Sequence, residues 1–316
     1  MNAIFRYILA ITCTLALLGG APEAQARPQR GGGARQSTGT KTYNRGGTHT
    51  RTNAQGQART GTWQGQGTFT RGQGEASKSY KGTVSNDRGQ SADVERQTNW
   101  RRNDDGYTKS GSQTVTGPEG HSRTTEGSKT WTNNQDGSAT KTYEKTITND
   151  QGQSKTVEGS ATYTNTGDGT YSKEGSRTVT GPNGEAHTST SSGTGSVTRS
   201  PEGVNHTYQG TVTKDQGETF NVDRGADYSR NGEGGATREG HYNVTNSQGE
   251  SVGSGQATTT YTPGQGAQTE STRTNATGTS TRNARWYWDG SRWVKTVETQ
   301  GPKGQSTETT TTSEKQ

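Results

Sequence analysis

The chain has 316 residues, of which 20% are hydrophobic and 48 are glycine, and its formal net charge is +6. All four leucines (Leu9, Leu15, Leu17 and Leu18) lie near the N-terminus, so the rest of the chain lacks the aliphatic volume of an ordinary core. This composition excludes a leucine-based helical bundle, an α/β sheet and a membrane-spanning protein.

The N-terminus predicts a secretory signal peptide over residues 1–26. Arg6 precedes an apolar run from Tyr7 to Leu18, and Ala24-Gln25-Ala26 fits the small-x-small cleavage rule. The run is shorter than the roughly twenty residues that a transmembrane helix needs. The only cysteine, Cys13, lies inside this segment, so the mature chain has no disulfide. We therefore expect an exported, bacterial-type protein of the periplasm, the cell surface or the medium.

Residues 27–60 are rich in glycine and arginine, which predicts a basic, flexible segment. Arg/Gly segments bind nucleic acid and other polyanions electrostatically, so these arginines are candidate polyanion contacts. The candidates are Arg27, Arg30, Arg35 and Arg45. The alternative, which we prefer, is a solvated linker that keeps the protein soluble.

Residues 61–270 contain a repeat of about 32 residues. The segment from Tyr107 to Gly120 recurs 64 residues later, from Tyr171 to Gly184. Each repeat carries two turn signatures that end in glycine, in which Pro, Asn or Asp begins the bend. Each repeat is therefore predicted to be one β-hairpin unit. The region as a whole is predicted to be an all-β antiparallel meander of a dozen or more strands.

Residues alternate in chemistry along each predicted strand. In the segment 138–148, Tyr143, Ile147 and two lysines occupy one face, whereas Thr residues and Glu144 occupy the other. A disordered low-complexity chain has no reason to keep this alternation, so the pattern favours a folded sheet. Mid-strand glycines lie on the face of the aromatic rings and predict bends or bulges that let the sheet curl.

Turn lengths predict the pairing of neighbouring strands. Three-residue loops set Tyr107 opposite Trp131 and Gly111 opposite Gly127. The same rule sets Tyr143 opposite Gly159, so that a ring covers a glycine. A two-residue turn at Asp105-Gly106 would set Trp100 opposite Gly111.

The sheet has two possible forms: a large wet barrel, or an open single-layer or curled sheet. In a closed barrel, the face with rings, Val and Gly is inside, and Lys and Arg line a wet lumen. An outer-membrane barrel is disfavoured because neither face is a continuous apolar band.

Residues 271–305 hold the densest aromatic cluster, Trp286-Tyr-Trp-Asp-Gly-Ser-Arg-Trp293, around a predicted hairpin turn at Asp289-Gly290. We interpret this range as a C-terminal cap hairpin that ends the repeat array, since repeat proteins generally need such caps. A carbohydrate-stacking site is the alternative. Residues 306–316 are predicted to be a disordered Thr-rich tail.

The ring- and Lys-bearing face is a candidate ligand platform, since rings stack on sugars or bases while cations meet anionic groups. The alternative is that these rings are the only available core. The candidates are Tyr107, Lys109, Trp131, Lys141, Tyr143, Lys145, Tyr171, Lys173, Trp286, Trp288 and Trp293.

Catalysis has little support in the sequence. The five histidines lie in different repeats without repeated acidic partners, and no phosphate loop, nucleophile elbow or metal motif occurs. We therefore predict no catalytic residues, no cofactor and no metal.

The function predicted from these features is that of an exported, non-enzymatic structural or adhesive β-repeat protein of the cell envelope or extracellular space. A binding module for anionic polymers (acidic polysaccharide, envelope glycolipid or extracellular DNA) is the alternative, and a self-assembling fibre subunit is a further one. The predicted partners are an anionic surface polymer or further copies of the chain. No small-molecule substrate and no transmembrane span are expected in the mature protein.

Overall fold

A computed structural model describes residues 38–302 and 304–313, and within them the chain forms eighteen strands. No helix long and apolar enough to cross a membrane occurs in this part of the chain. The strands are β1 (Gly39–Thr52), β2 (Ala58–Arg71), β3 (Glu75–Ser85), β4 (Ser91–Asn103), β5 (Gly106–Thr116), β6 (Ser122–Asn133), β7 (Ser138–Asn149), β8 (Ser154–Gly167), β9 (Thr170–Thr180), β10 (Ala186–Arg199), β11 (Gly203–Lys214), β12 (Thr219–Arg230), β13 (Ala236–Thr245), β14 (Ser251–Thr262), β15 (Gly266–Asn275), β16 (Gly278–Trp288), β17 (Trp293–Gln300) and β18 (Ser306–Ser313).

The strands form one closed antiparallel barrel. Each strand pairs with the next one along the chain, and β1 also pairs with β18, from His49 opposite Thr311 to Thr52 opposite Glu308. The predicted all-β meander is confirmed. Of the two forms left open, the structure is the closed barrel, because the pairing of β1 with β18 removes both edges of the sheet.

The turns confirm the hairpin repeat of about 32 residues. Gly89, Gly120, Gly152 and Gly184 close the equivalent turn of successive repeats, with φ between 74° and 80°. In the turn after β5, the amide of Gly120 donates to the carbonyl of Gly117, and the amide of Gly117 donates to His121. Glycine is needed at these positions because L-residues with a Cβ rarely adopt positive φ.

Three of the four predicted pairings are confirmed: Tyr107 faces Trp131, Gly111 faces Gly127, and Tyr143 faces Gly159. The fourth is wrong, because Trp100 faces Lys109 and the loop is Asp104–Asp105. Gly106 is the first residue of β5, where a Cβ would overlap the backbone carbonyl of Trp131. The close approach of the neighbouring strand therefore requires glycine at this position. The residues around Gly106 in the sequence give no sign of this contact.

Both ends of the described chain are more ordered than the sequence indicates. Gly39–Thr52 is a strand inside the range predicted to be flexible, and Ser306–Ser313 is a strand inside the predicted tail. The two strands pair with each other, and the hydroxyls of Thr48 and Thr312 share a hydrogen bond. Their order comes from this long-range pairing rather than from local sequence. The predicted signal peptide and Arg27, Arg30 and Arg35 lie outside the described residues.

The Trp286–Trp293 hairpin joins β16 to β17 through a four-residue loop, Asp289 to Arg292, rather than through a two-residue turn. The Asp289 carboxylate accepts hydrogen bonds from the backbone amides of Ser291 and Arg292. This hairpin lies between β15 and β18 within the closed ring. A closed ring has no terminal repeat for a cap to cover.

Apolar burial is thin. Val84, Ala92, Val94 and Val115 form the one hydrophobic cluster found in the described residues, and Trp63 packs against it. These residues lie on neighbouring strands, β2 to β5, and on one face of the sheet. The fold is therefore defined largely by the backbone hydrogen bonds between strands and by the turns.

Candidate functional site: the cationic lumen

A cavity of about 1430 Å³ identifies the inner face of the barrel. Its walls extend from Trp131 on β6 to Thr299 on β17 and include Tyr171 and Arg282. Strands so far apart around a closed ring share one cavity only on the concave side of the sheet. The face that bears rings and cations is therefore the inward face, as the sequence predicts for a closed barrel.

Residues opposite each other in an antiparallel pair share a face, so the inward face can be followed from strand to strand around the barrel. The register returns to β1 without changing face. Of the nineteen aromatic residues in the described strands, only Tyr287 points outward. The inward rings are Tyr43, Trp63, Phe69, Tyr80, Trp100, Tyr107, Trp131, Tyr143, Tyr163, Tyr171, Tyr208, Phe220, Tyr228, Tyr242, Tyr261, Trp286, Trp288 and Trp293.

The inward face also carries twenty-four lysines and arginines, and within the described strands it carries no Asp or Glu. These cations lie on sixteen of the eighteen strands. They are Lys41, Arg45, Arg51, Arg59, Arg71, Lys78, Arg96, Arg102, Lys109, Arg123, Lys129, Lys141, Lys145, Lys155, Lys173, Arg177, Arg199, Lys214, Arg224, Arg230, Arg238, Arg273, Arg282 and Lys295.

The outward face has the opposite charge. Its described strands carry three cations, Lys81, Arg101 and Arg285, and thirteen acids among Ser, Thr, Asn and Gln. The acids are Glu75, Asp93, Glu95, Glu126, Glu144, Glu158, Glu174, Asp223, Asp227, Glu239, Glu270, Glu298 and Glu308.

Rings and glycines fit together on the inward face. The Tyr80 ring lies over Gly65 and Gly82, and the Tyr143 ring lies over Gly159, where an added Cβ would overlap the ring. Tyr208 is 4% exposed, with the Lys173 ammonium 5.3 Å and the Arg224 guanidinium 4.6 Å from its ring centroid. The rings are thus both the main apolar filling and a partner for the inward cations.

The cavity arginines have no carboxylate partner within the described residues. These six are Arg199, Arg224, Arg230, Arg238, Arg273 and Arg282. Arg238 instead donates to the Tyr228 hydroxyl at 2.7 Å. Two lysine ion pairs occur in the described structure. Lys81 pairs with Glu95 on the outward face, and Lys214 pairs with Glu218 at the rim. No carboxylate of the described residues therefore neutralises these arginines directly.

A row of aromatic rings lines part of the same cavity. The centroids of Trp131 and Tyr163 are 5.4 Å apart, those of Tyr163 and Tyr171 6.0 Å, and those of Tyr171 and His206 5.9 Å. The last pair is stacked within 3°, and the Tyr171 hydroxyl lies 2.6 Å from Nε2 of His206. We call these four residues the ring ladder.

All eleven predicted platform residues lie on the inward face, but they do not form one cluster. Trp131 and Tyr171 line the cavity. Trp286 and Trp293 stack on each other, with centroids 4.3 Å apart, where β16 ends and β17 begins, and Trp288 lies edge-on to Trp293. The lysines lie over rings, with Lys109 over Trp100, Lys141 over Tyr143 and Lys173 over Tyr208. Lys145 and Tyr107 are inward elsewhere on β7 and β5.

Arg45, the described member of the predicted polyanion contacts, lies inward on β1, with its guanidinium 5.1 Å from the Tyr43 ring centroid. It is part of the barrel wall rather than of a free basic segment. A long polyanion on the outside of the barrel would meet the acidic face instead.

Two histidines at one rim have acidic partners that the sequence reading missed. His121 pairs with Asp150 on the next turn of that rim, and His187 pairs with Asp215 at 2.9 Å in the equivalent place two repeats later. The hydrogen bond and the charge of Asp150 raise the pKa of His121, and the His121 bond lowers the pKa of Asp150. The prediction of no repeated acidic partners is therefore wrong. The similar sequence separation within the two pairs, 29 residues from His121 to Asp150 and 28 from His187 to Asp215, is the signal that could have revealed them.

No group of three His, Asp or Glu side chains suited to a metal ion occurs in residues 38–302 and 304–313.

No protein-family model and no curated protein matches the chain. Solved structures with a similar fold include a bacterial polysaccharide outer membrane secretin (6% identity, 87% of this chain and 98% of that chain, TM-score 0.43). They also include OpdQ of Pseudomonas aeruginosa (7%, 88% and 98%, TM-score 0.44) and an anion-selective porin from Comamonas acidovorans (9%, 88% and 98%, TM-score 0.36). Similarity at this level concerns the barrel architecture alone.

The closed barrel corrects the functional predictions. A secreted, adhesin-like or polymer-binding repeat array is wrong, because the sheet is closed into a barrel with its platform residues inside. A fibre subunit is wrong too, since the described sheet has no free edge for strand addition. The predictions of no small-molecule substrate and no membrane span lose their basis as well, because the barrel encloses a cavity of small-molecule size and a closed barrel is a form that can cross a bilayer with strands. The predictions of an envelope location and of a non-enzymatic protein stay predictions.

Proposed function

We propose that the chain forms an aqueous barrel that admits small anions through its lumen. The observation that carries the proposal is the separation of charge between the two faces, with twenty-four inward cations facing no inward acid in the described strands. A concave site lined by one sign of charge focuses the field and raises the local concentration of the opposite ion.

The partial burial of nine of the twenty-four inward cations strengthens this effect. Lys78 and Lys295 are only partly exposed, and low-dielectric walls weaken the screening that water gives at an outer surface. The outward acids repel the same anions from the outer wall. Small anions are therefore directed to the lumen, whereas long polymers cannot follow them into it.

Citrate binding to the purified protein, measured by equilibrium dialysis at low ionic strength, tests this proposal. We expect retention of citrate that falls steeply as salt is added. A lumen variant with Arg224→Gln, Arg238→Gln and Arg282→Gln should lose much of it. The matched outward variant, with Lys81→Gln, Arg101→Gln and Arg285→Gln, removes the same charge and should retain citrate. Equal losses in the two variants would overturn the proposal.

The location within the envelope is a separate part of the proposal, and we take the outer membrane, which the description of the secretin names, as the location to test. Outer-membrane barrels present an apolar band about 25 Å tall to lipid. The outward face here carries thirteen acids among polar residues, so insertion is the more demanding part of the proposal.

Bilayer recordings with a salt gradient across the membrane test insertion. An inserted barrel should give steps of conductance whose reversal potential indicates anion selectivity, and the lumen variant should lose that selectivity. Absence of conductance, with the protein recovered from the aqueous phase after flotation with vesicles, would reject the outer-membrane location. The citrate result would still decide whether the lumen admits anions.

A further inference from the structure

The lumen cavity has an aromatic wall and a cationic wall, and a small inorganic ion would contact only the cationic one. The ring ladder occupies β6 to β11, and most of the cavity arginines lie on β12 to β16. We propose that the cavity is a binding site for a small anion that carries a flat aromatic ring, such as an aromatic carboxylate. This inference rests on the proposed function and narrows its substrate class.

The ring ladder offers flat apolar surface rather than a filled core. Its members are only partly buried although they line the cavity, and consecutive centroids lie 5.4 to 6.0 Å apart. Because all four residues line the cavity and are partly exposed, part of their ring surface faces the lumen, and aromatic pairs prefer offset or tilted arrangements of this kind. A saturated ligand of the same size has no matching quadrupole and gains only from burial.

The cavity arginines supply the second half of the site. A guanidinium presents a planar fork of donors that matches a carboxylate, often with two parallel hydrogen bonds. Arg238 and Arg282 have no carboxylate partner among the described residues, so an incoming anion does not have to displace one. A ligand with its ring on the ladder and its carboxylate toward β12 to β16 satisfies both walls at once.

The cavity volume suits a ligand of this kind. Its volume of about 1430 Å³ is larger than the roughly 300–1,000 Å³ that is usual for small-molecule sites. An acid with one or two rings therefore fits with water around it. Entry therefore needs no change in the barrel wall, and we expect rapid exchange and modest affinity.

Calorimetric titration of the purified protein with three matched probes tests the inference: naphthoate, its neutral amide naphthamide, and saturated decahydronaphthoate. Naphthoate should bind about fivefold more tightly than either of the others, since it alone uses both walls. Trp131→Leu should remove the preference for naphthoate over decahydronaphthoate. Arg238→Gln with Arg282→Gln should weaken both acids by about fivefold or more.

Trp100→Leu and Arg96→Gln are the matched controls, since both residues point inward but lie outside the cavity wall. They should leave the preference for naphthoate unchanged. Equal binding of the two acids would overturn the ring-bearing ligand and leave the anion-admitting lumen intact. Binding of neither acid by a protein that retains citrate would overturn the ring-bearing ligand alone, whereas loss of citrate retention as well would overturn both proposals. A loss of ring preference in Trp100→Leu as large as in Trp131→Leu would show that the site is not the cavity.

Discussion

The inward and outward faces of this barrel are built from one chain with the same strands, yet they differ in almost every respect. The inward face combines rings, Val, Gly and Lys or Arg, whereas the outward face combines Ser, Thr, amides and acids. A single step along a strand separates the two environments. A given substitution should therefore have different, and sometimes opposite, effects at neighbouring positions.

The largest expected contrast is at the seam between β1 and β18. Gly47 points inward, where a Cβ would overlap the Thr312 carbonyl, whereas a Cβ on the adjacent Gly46 meets nothing closer than 3.4 Å. Gly47→Ala should lower the free energy of unfolding by about 2–3 kcal/mol, because closure of the barrel is strained. Gly46→Ala should change it by no more than about 0.5 kcal/mol. Urea unfolding followed by tryptophan fluorescence measures both, and equal effects would contradict the seam geometry.

The next contrast compares two tyrosines. Tyr208 is inward and 4% exposed, with two cations over its ring, whereas Tyr287 is the outward ring opposite Val294. Tyr208→Leu should cost about 2 kcal/mol, through lost burial and lost cation–π contacts. Tyr287→Leu keeps apolar contact with Val294 and should cost less than about 1 kcal/mol. The same unfolding measurement separates them, and a larger cost at Tyr287 would show that the outer side is the packed one.

A third test introduces Glu at two adjacent residues, where we expect changes in the unfolding free energy of opposite sign. Gln113 points inward and faces Arg96, so Gln113→Glu should raise the unfolding free energy by roughly 0.5 kcal/mol. Ser112 points outward and faces Glu126, so Ser112→Glu should lower it by a similar amount. Added salt should reduce both effects. Two changes of the same sign would contradict the assignment of the faces.

The smallest expected effect concerns pH at the rim. The pKa of His121 is raised, so its contribution to stability is present below its unfolded value near 6.5 and is lost as pH rises through the folded pKa. The pKa of Asp150 is lowered, so its contribution is present above about 3.8 and is lost as pH falls through the folded pKa. The pair therefore contributes most between these two limits.

We expect a small stability difference between wild type and His121→Gln in weakly acidic buffer, and none in alkaline buffer. A double-mutant cycle with Asp150→Asn, measured by urea unfolding at both pH values, isolates the pair. A coupling that persists at alkaline pH would contradict this assignment.

Much of the fold could be predicted from local patterns. The alternation along β7 predicts which residues share a face, and the loop length after β5 predicts the pairing of Tyr107 with Trp131. The prediction fails at Asp104–Asp105, where close packing of Gly106 decides the loop. It also fails at β1 and β18, whose order depends on pairing between the two ends of the chain.

The site was predictable only in part. Period-two alternation gathers the rings and cations on one face, but it does not bring β6 close to β16, nor does it assign any ring to a particular arginine. The rim pairs of His121 and His187 were missed because their partners lie on the next turn of the same rim, about thirty residues away in sequence.

The sequence alone determined the strands, the turns and the separation of chemistry between two faces, because each of these depends on neighbours within a few residues or within one hairpin. The tertiary structure decided that the sheet closes and that the ring-bearing, cationic face lies inside. Closure joins Thr48 to Thr312, which are 264 residues apart, and no local pattern records such a contact. The charge that each strand carries on one side becomes a single cationic lumen only when the ring is complete.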